Sequence, residues 1–142
     1  MAQQIIQLNI DLPAPVEEIF SFFEVHENLG RIFGARISRI REGSDAPNGT
    51  GSVRKLSIGP LPPIEETVTL YEKNARIEYS ISNTTPLKNH HGIMRFSEKD
   101  GGTHLDYNIV FESRIPLVGG LIRKTLERNI RKGCEKYARS LA

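Results

Sequence analysis

Hydrophobic and polar residues alternate along the first segment of the chain, QIIQLNIDL at 4–12. Ile6, Leu8 and Ile10 fall on one face of an extended chain, and polar residues occupy the other face. This is the pattern of a strand that is buried on one side. We therefore predict a first strand over Gln4–Leu12.

The same period of two returns between residues 35 and 112, where stretches rich in Gly, Pro, Asn and Asp interrupt it. Six more strands fit between these turn signals, and their short connections favour an antiparallel meander. We predict these strands at Ala35–Arg41, Gly51–Ile58, Ile64–Glu72, Arg76–Ser82, Asn89–Glu98 and Thr103–Glu112.

Helical periodicity is found in two places, directly after the first strand and at the end of the chain. Pro15 suits the first position of a helix, and Glu17 and Glu18 suit its N-terminal dipole, so a short helix is predicted there. A second short helix is predicted across about His26 to Phe33. The last segment carries apolar residues at spacings of three and four, which predicts an amphipathic helix over Leu117–Ser140, about 36 Å long.

This order of elements predicts an α+β fold. A curved antiparallel sheet of seven strands has to bury its apolar face, and the long C-terminal helix offers an apolar stripe of matching length. We expect the sheet to wrap around that helix, with the two short helices following strand one.

Composition limits the classes of protein to which the chain can belong. Its 142 residues, 38% of them hydrophobic, fit one domain over 1–142. The start lacks the features of a signal peptide and no apolar run approaches membrane-spanning length, so we expect a soluble, cytoplasmic protein, either a monomer or a homodimer. The single Cys134 excludes an internal disulfide and a thiolate metal site. A formal charge of +2 does not by itself indicate nucleic acid as a partner.

Strand parity points five polar side chains towards the interior. They share a face with buried apolar residues of their own strands, and they are Arg54, Glu66, Tyr79, His90 and Tyr107. Asn129 joins them as a polar gap in the stripe of the long helix. Gly133 is a second gap, which a close approach of another element or an open volume would explain. So many inward polar groups favour a hydrated cavity, of some 300 to 1,000 Å³.

The histidines do not form a metal-binding set. His90 points inward and the adjacent His91 outward, while His26 and His104 fall in a helix and on an outward face. We therefore expect neither a metal nor another cofactor. No nucleophile elbow, P-loop, dinucleotide fingerprint or HExxH segment occurs either.

Neighbouring strands should bring the inward polar residues together in pairs. Arg54 and Glu66 fall opposite each other across a hairpin and should form a salt bridge, which favours the charged carboxylate and makes Glu66 a poor general base. Tyr79 and His90 should also come close. Glu66 and His90 should lie about 10 Å apart, without direct contact. His90 is either a satisfied core residue or a ligand contact capable of acid/base work.

Several segments carry a family resemblance: LPAPVEEIFSFF, GTGSVRKL, EETVTLYEKNARIEYSI and GGTHLDYNIVFE, together with the C-terminal helix. In this order they resemble the helix-grip fold of the START/Bet v 1-like (SRPBCC) superfamily, most of all its bacterial polyketide cyclase/dehydrase branch. The resemblance implies a cavity for a small hydrophobic ligand and, by the name of the branch, cyclase or dehydratase activity.

Two loops resemble the gate and latch of plant abscisic-acid receptors, which share this fold. They are IGPLPP, at 58–63, and PLKNHHG, at 86–92. By this resemblance Leu61 and Pro62 form a lid, Arg54 and Glu66 join the polar network of the ligand, and His90 replaces a tyrosine of the cavity. The inserted Pro60 and His90 depart from the receptor pattern, so the resemblance implies only a similar opening to the cavity.

Three functions remain open at this point. The first is a cavity for a hydrophobic, partly oxygenated molecule, in which Arg54 would polarise an oxygen, the tyrosines would orient a ring and His90 would shuttle a proton. The second is a lipid or quinone carrier without catalysis. The third is a protein that contacts RNA, ribosomes or anionic membrane through the basic C-terminal helix, although a solvated outer face explains those charges more simply.

Overall fold

The computed structural model describes residues 2–58 and 61–141. Within them the chain forms one antiparallel sheet in the order β1-β7-β6-β5-β4-β3-β2. The strands are β1 (Gln3–Leu12), β2 (Arg36–Arg41), β3 (Val53–Ser57), β4 (Ile64–Glu72), β5 (Arg76–Ile81), β6 (Leu87–Lys99) and β7 (Gly102–Ser113). The predicted α+β helix-grip architecture with its seven strands is confirmed.

The helices also follow the predicted order. Helix α1 (Val16–Phe23) and α2 (Leu29–Phe33) are separated by a single 3₁₀ turn at His26–Asn28, and α3 (Gly119–Ser140) ends the fold. Pro15 is the N-cap of α1 in an extended conformation, one residue before the helical position for which it was predicted. No helix among these residues is both long and apolar enough to cross a membrane.

Two β-bulges reverse the strand parity that a strict period of two assigns. Strict alternation from Glu66 and Val68 predicts that Leu70 faces inward. The register of β4 against β5 shifts between Val68 and Leu70, so that prediction is wrong and Tyr71 packs against the core instead. The register of β6 against β7 shifts between Lys88 and His91, where Asn89 adopts a φ of 52°. As a result β6 begins at Leu87, two residues before the predicted start.

The two halves of α3 have different environments. In its C-terminal half Ile130 and Cys134 are completely buried, and the ring of Tyr137 stacks on Phe22 with centroids 3.8 Å apart. A Cβ at Gly133 would lie 2.7 Å from the Cα of Ile32, so this glycine allows α2 and α3 to approach closely. The N-terminal half packs less tightly and borders the cavity described below.

The start of α3 differs from the prediction. The helix begins at Gly119 and not at Leu117, which has a φ of 69° and a fully exposed side chain. A left-handed conformation cannot belong to a right-handed helix. Apolar residues continue at helical spacing back to Leu117, but the backbone of Leu117 is not helical.

Candidate functional site

A cavity of about 270 Å³ lies between the sheet and the N-terminal half of α3. This volume is slightly below the predicted range. Most of the wall consists of Leu, Ile, Val and Phe side chains, which come from α2, from strands β3 to β7, from α3 and from the segments that adjoin β3, β4 and α3. Five other lining residues carry polar groups: Glu66, Tyr79, His90, Thr125 and Asn129.

The predicted salt bridge lies at the inner end of this cavity. Arg54 and Glu66 are register partners on β3 and β4, and Arg54 Nε donates to Glu66 Oε1 over 2.8 Å. Their side chains are only 2% and 8% exposed. Burial by itself would lower the pKa of Arg54, but the charge of Glu66 reverses the effect and raises it. Arg54 is therefore a permanent charge behind the wall, and it does not line the cavity.

His26 completes the surroundings of Arg54, and the sequence analysis did not anticipate this contact. Arg54 Nη1 lies 2.9 Å from His26 Nδ1, and His26 Nε2 lies 2.8 Å from Ser52 Oγ. Because an arginine only donates, Nδ1 accepts and the proton of His26 resides on Nε2, which donates to Ser52. Ser52 Oγ in turn donates to the carbonyl oxygen of Gly49 over 2.7 Å.

The buried histidine is held neutral by this arrangement. Burial, followed by the neighbouring charge of Arg54, lowers the pKa of His26 to about 3. The side chain of His26 is completely inaccessible, although the sequence placed it on a short helix with no inward or outward face assigned. A histidine in a 3₁₀ turn has no periodic pattern to follow, so only its side-chain contacts with Ser52 and Arg54 reveal its role.

His90 lies on the cavity wall with a side chain only 6% exposed. The backbone N–H of Ile81 donates to His90 Nδ1 over 3.0 Å, so the proton of the neutral ring is on Nε2. Burial lowers the pKa of His90, and the charge of Glu66 opposes this shift without cancelling it. His90 is thus a neutral group whose Nε2–H donates.

His90 Nε2 lies 3.5 Å from Glu66 Oε2. The expectation of a separation of about 10 Å was wrong, because the strand spacing describes the backbone and takes no account of side-chain reach. His90 accepts a hydrogen bond from Ile81 on β5, the strand that lies between β6 and β4, so the two side chains reach each other across β5. The distance exceeds that of a normal hydrogen bond, which leaves bonding capacity on both atoms.

The two inward tyrosines form a pair. The hydroxyl groups of Tyr79 and Tyr107 are hydrogen-bonded to each other, and burial raises the pKa of both. The ring of Tyr79 lies against Arg54, whose Cζ is 4.5 Å from its centroid, and 5.6 Å from the His90 ring. The predicted proximity of Tyr79 and His90 is present. Tyr107 lies behind the wall, so of the two only Tyr79 lines the cavity.

The remaining predicted residues are partly where we expected them. Asn129 lines the cavity and donates from Nδ2 to the carbonyl oxygen of Phe33 over 3.2 Å. Of the candidate gate residues, Leu61 lines the cavity, whereas Pro62 is exposed and does not. Pro60 lies outside the described residues. That Leu61 and Pro62 move as a gate stays a prediction.

The histidines are separated as the strand parity indicated. His91 faces outward, where its Nε2 lies 2.7 Å from Glu78 Oε1, and His104 contacts Asp11 at the surface. Over residues 2–58 and 61–141, no group of three His, Cys, Asp or Glu side chains could hold a metal ion.

The sequence of the chain matches a known protein family. Residues 3–142 match the sequence profile of the family described as polyketide cyclase / dehydrase and lipid transport. No curated protein sequence matches the chain.

Solved structures with the same fold share little sequence with the chain. A START superfamily protein from Mycobacterium smegmatis is 14% identical, with a TM-score of 0.78 over 97% of this chain and 99% of the other. The ZhuI aromatase/cyclase from Streptomyces sp. R1128 is 18% identical, with a TM-score of 0.74 over 99% and 97% of the two chains. Norcoclaurine synthase from Thalictrum flavum, solved with dopamine and hydroxybenzaldehyde, is 10% identical, with a TM-score of 0.70 over 98% and 88%. At these identities the likeness concerns the fold.

Proposed function

Because this chain belongs to the polyketide cyclase/dehydrase and lipid transport family, we propose that it binds a small, mainly apolar molecule bearing a hydroxyl group. The ligand occupies the cavity between the sheet and α3. The observation that carries the proposal is the pair formed by Glu66 and His90, two of the five polar residues in a cavity wall that is mainly apolar.

The apolar wall sets the general class of ligand. Thirteen of the 18 lining residues are Leu, Ile, Val or Phe, so most of the ligand surface has to be apolar for binding to be favourable. A ligand that is polar throughout would leave its own groups without partners, at a cost of about 1 to 3 kcal/mol for each.

The pair of Glu66 and His90 selects the functional group. Glu66 Oε1 already accepts from Arg54, so Oε2 is the atom of this carboxylate that remains to accept from a ligand. His90 offers only a donor, since its Nδ1 accepts from Ile81. A hydroxyl group both donates and accepts, and therefore matches the two atoms at once. A ketone would leave Glu66 Oε2 unmatched, and a carboxylate would lie against a like charge.

The same pair would supply the acid and base groups of a cyclase or dehydratase reaction, the finer activity that the family description suggests. Glu66 Oε2 is the group that would accept a proton, and His90 Nε2–H is the group that would stabilise an oxygen as it becomes negative. Glu66 is already engaged in the buried ion pair with Arg54, so we place binding before turnover. Norcoclaurine synthase, which has the same fold, was solved with dopamine and hydroxybenzaldehyde. These are oxygenated aromatic molecules, and they support a ligand of that class here.

Matched probes test the proposal: 1-tetralol and 1-tetralone, which share one carbon frame and differ in a hydroxyl and a ketone. We expect isothermal titration calorimetry to show tighter binding of the alcohol by about tenfold, since a hydrogen bond to a charged group contributes about 1.5 to 3 kcal/mol. If neither compound binds, the cavity does not take ligands of this class.

The variant Glu66→Gln provides the sharper test. Arg54 Nε requires an acceptor, so the glutamine oxygen should face Arg54 and its NH₂ group should take the place of Oε2. The cavity would then offer two donors, and the preference should reverse in favour of the ketone. Thr125→Val removes a polar lining group from α3 and is the control that should leave the preference unchanged. Equal binding of both compounds by the wild type and Glu66→Gln would refute the hydroxyl recognition while leaving ligand binding intact.

The carrier without catalysis is the second candidate, and the apolar wall favours it. Mass spectrometry of the protein purified from its native source, under native and then denaturing conditions, distinguishes the two. A prenyl or acyl lipid in the released fraction would favour the carrier, and an oxygenated aromatic compound would favour the cyclase or dehydratase.

A further inference from the structure

Three large apolar side chains are exposed within seven residues, where β7 gives way to α3. Ile115 is 45% exposed, Leu121 is 66% exposed, and Leu117 is fully exposed. We call these three residues the mouth patch. Isolated exposed apolar residues are ordinary, but a cluster marks a surface that another apolar phase covers. Only two further large apolar side chains are comparably exposed among the described residues, Ile5 and Ile40, and both lie elsewhere on strands.

The backbone holds the patch outward. Leu117 has a φ of 69°, a conformation that leucine rarely adopts, and the helix begins two residues later. Leu121 lies in the first turns of α3, where it is exposed and also lines the cavity. The mouth patch therefore adjoins the opening through which a ligand would pass.

Positively charged residues flank the patch in the sequence. Between residues 113 and 126 the sequence contains Arg114, Arg123 and Lys124 but no Asp or Glu. Lys124 and Arg128 follow Leu121 at helical spacings of three and seven, so they extend the same exposed side of α3. The nearest acidic residue on the helix, Glu127, is 3.7 Å from Arg123 in an ion pair.

We propose that the mouth patch docks on the surface of an anionic lipid bilayer, with Leu117 and Leu121 inserted among the lipids and the cations on the headgroups. Apolar side chains beside Lys and Arg are the combination that binds such an interface. The opening of the cavity would then face the apolar phase from which a hydrophobic ligand enters. This docking does not depend on what the cavity holds.

A second copy of the chain fits the patch less well. In a two-fold contact the same surface meets itself, so Arg114 and Lys124 of one copy would approach the same cations of the other. An anionic surface complements these charges and a second copy does not.

Vesicle flotation tests the docking on the full chain. We expect the protein to float with vesicles of phosphatidylcholine mixed with phosphatidylglycerol, to float poorly with phosphatidylcholine alone, and to release as salt is added. The variant Leu117→Asn should weaken the partition coefficient by about tenfold or more. Asparagine tolerates the left-handed conformation better than leucine, so the variant should fold at least as well. Lys124→Gln should weaken binding by about fivefold, from about 1 kcal/mol for each cation near the surface.

Ile40→Thr is the matched control, because it removes a half-exposed apolar side chain from the distant strand β2. It should bind vesicles as the wild type does. The proposal is overturned if anionic vesicles do not bind, or if Leu117→Asn and Ile40→Thr bind equally. Self-association in sedimentation velocity that Leu117→Asn abolishes would instead assign the patch to a second copy of the chain.

Discussion

Arg54 donates a hydrogen bond from Nη1 to Nδ1 of His26 over 2.9 Å, and this contact assigns the proton of a completely buried histidine to Nε2. The arginine thereby has a charged partner, Glu66, on one side and a neutral acceptor on the other. Its Nη2 has no hydrogen-bond partner within the described part of the chain. Glu66, Arg54, His26 and Ser52 thus form a chain of hydrogen bonds beneath the cavity. The donors of Arg54 fix the proton of His26 on Nε2, which then donates to Ser52.

Removing the histidine should destabilise the protein. His26→Ala would leave an Arg54 donor and the Ser52 hydroxyl without their partner and would open a cavity, so we expect the free energy of unfolding to fall by about 2 to 4 kcal/mol. Urea denaturation followed by circular dichroism measures this. His104→Ala, which removes a surface contact with Asp11, should cost less than about 1 kcal/mol. Equal losses in the two variants would contradict the structural role of His26.

Stability should also depend on pH through His26. Its pKa is about 3 in the folded protein, lowered first by burial, against 6.5 for an ordinary histidine. The unfolded chain therefore takes up the proton first, so the contribution of neutral His26 is complete above about pH 6.5 and is lost as the pH falls from there towards 3. The slope is about 1.4 kcal/mol per pH unit.

His90 contributes in the same direction, since burial lowers its pKa as well. The charges of Arg54, Arg39 and Glu27 also act on the pKa of His26. Urea titrations at pH 7 and at pH 5.5 or so compare the wild type with His26→Gln, which does not titrate. We expect a smaller loss of stability on acidification in the variant, and an identical pH dependence would show that His26 takes up its proton equally in both states.

Removal of one partner of the buried ion pair should destabilise the protein strongly, whereas replacement of both partners by apolar residues should destabilise it little. Glu66→Leu leaves the charge of Arg54 buried without a counter-ion and should lower the free energy of unfolding by about 3 to 5 kcal/mol. The double variant Arg54→Met with Glu66→Leu removes both charges and should recover most of that loss. A double variant no more stable than Glu66→Leu would mean that Arg54 stabilises the fold through contacts other than the pair.

Two glycines of α3 should respond in opposite ways to the same substitution. A Cβ at Gly133 would lie 2.7 Å from the carbonyl oxygen of Ile32 and 2.8 Å from that of Arg31, so Gly133→Ala should cost about 1 to 3 kcal/mol despite its better helix propensity. A Cβ at Gly120 would meet nothing within 4 Å, and Gly120→Ala should stabilise by up to about 1 kcal/mol. Thermal unfolding of the two variants compares them directly, and a gain in both would show that α2 and α3 separate easily.

Predictions that depended on local periodicity were the most accurate. The bounds of β4 agree with the prediction at both ends, and Arg54 and Glu66 are register partners as their hairpin indicated. Errors arose where one extra residue interrupts the period, as in the bulges near Leu70 and Asn89. The exposed position of Leu117 was missed because an apolar residue at helical spacing does not report its own φ.

By itself the sequence determined the order of the strands and helices and, away from the bulges, which side chains face the interior, because a strand alternates its faces and a helix repeats every 3.6 residues or so. Only the tertiary structure decided which of these side chains meet. The contact of Glu66 with His90 depends on side-chain reach across an intervening strand, and that of His26 with Arg54 depends on where an aperiodic turn places the histidine. The direction of each hydrogen bond follows from those contacts. These directions in turn are the reason why we propose a ligand with a hydroxyl group.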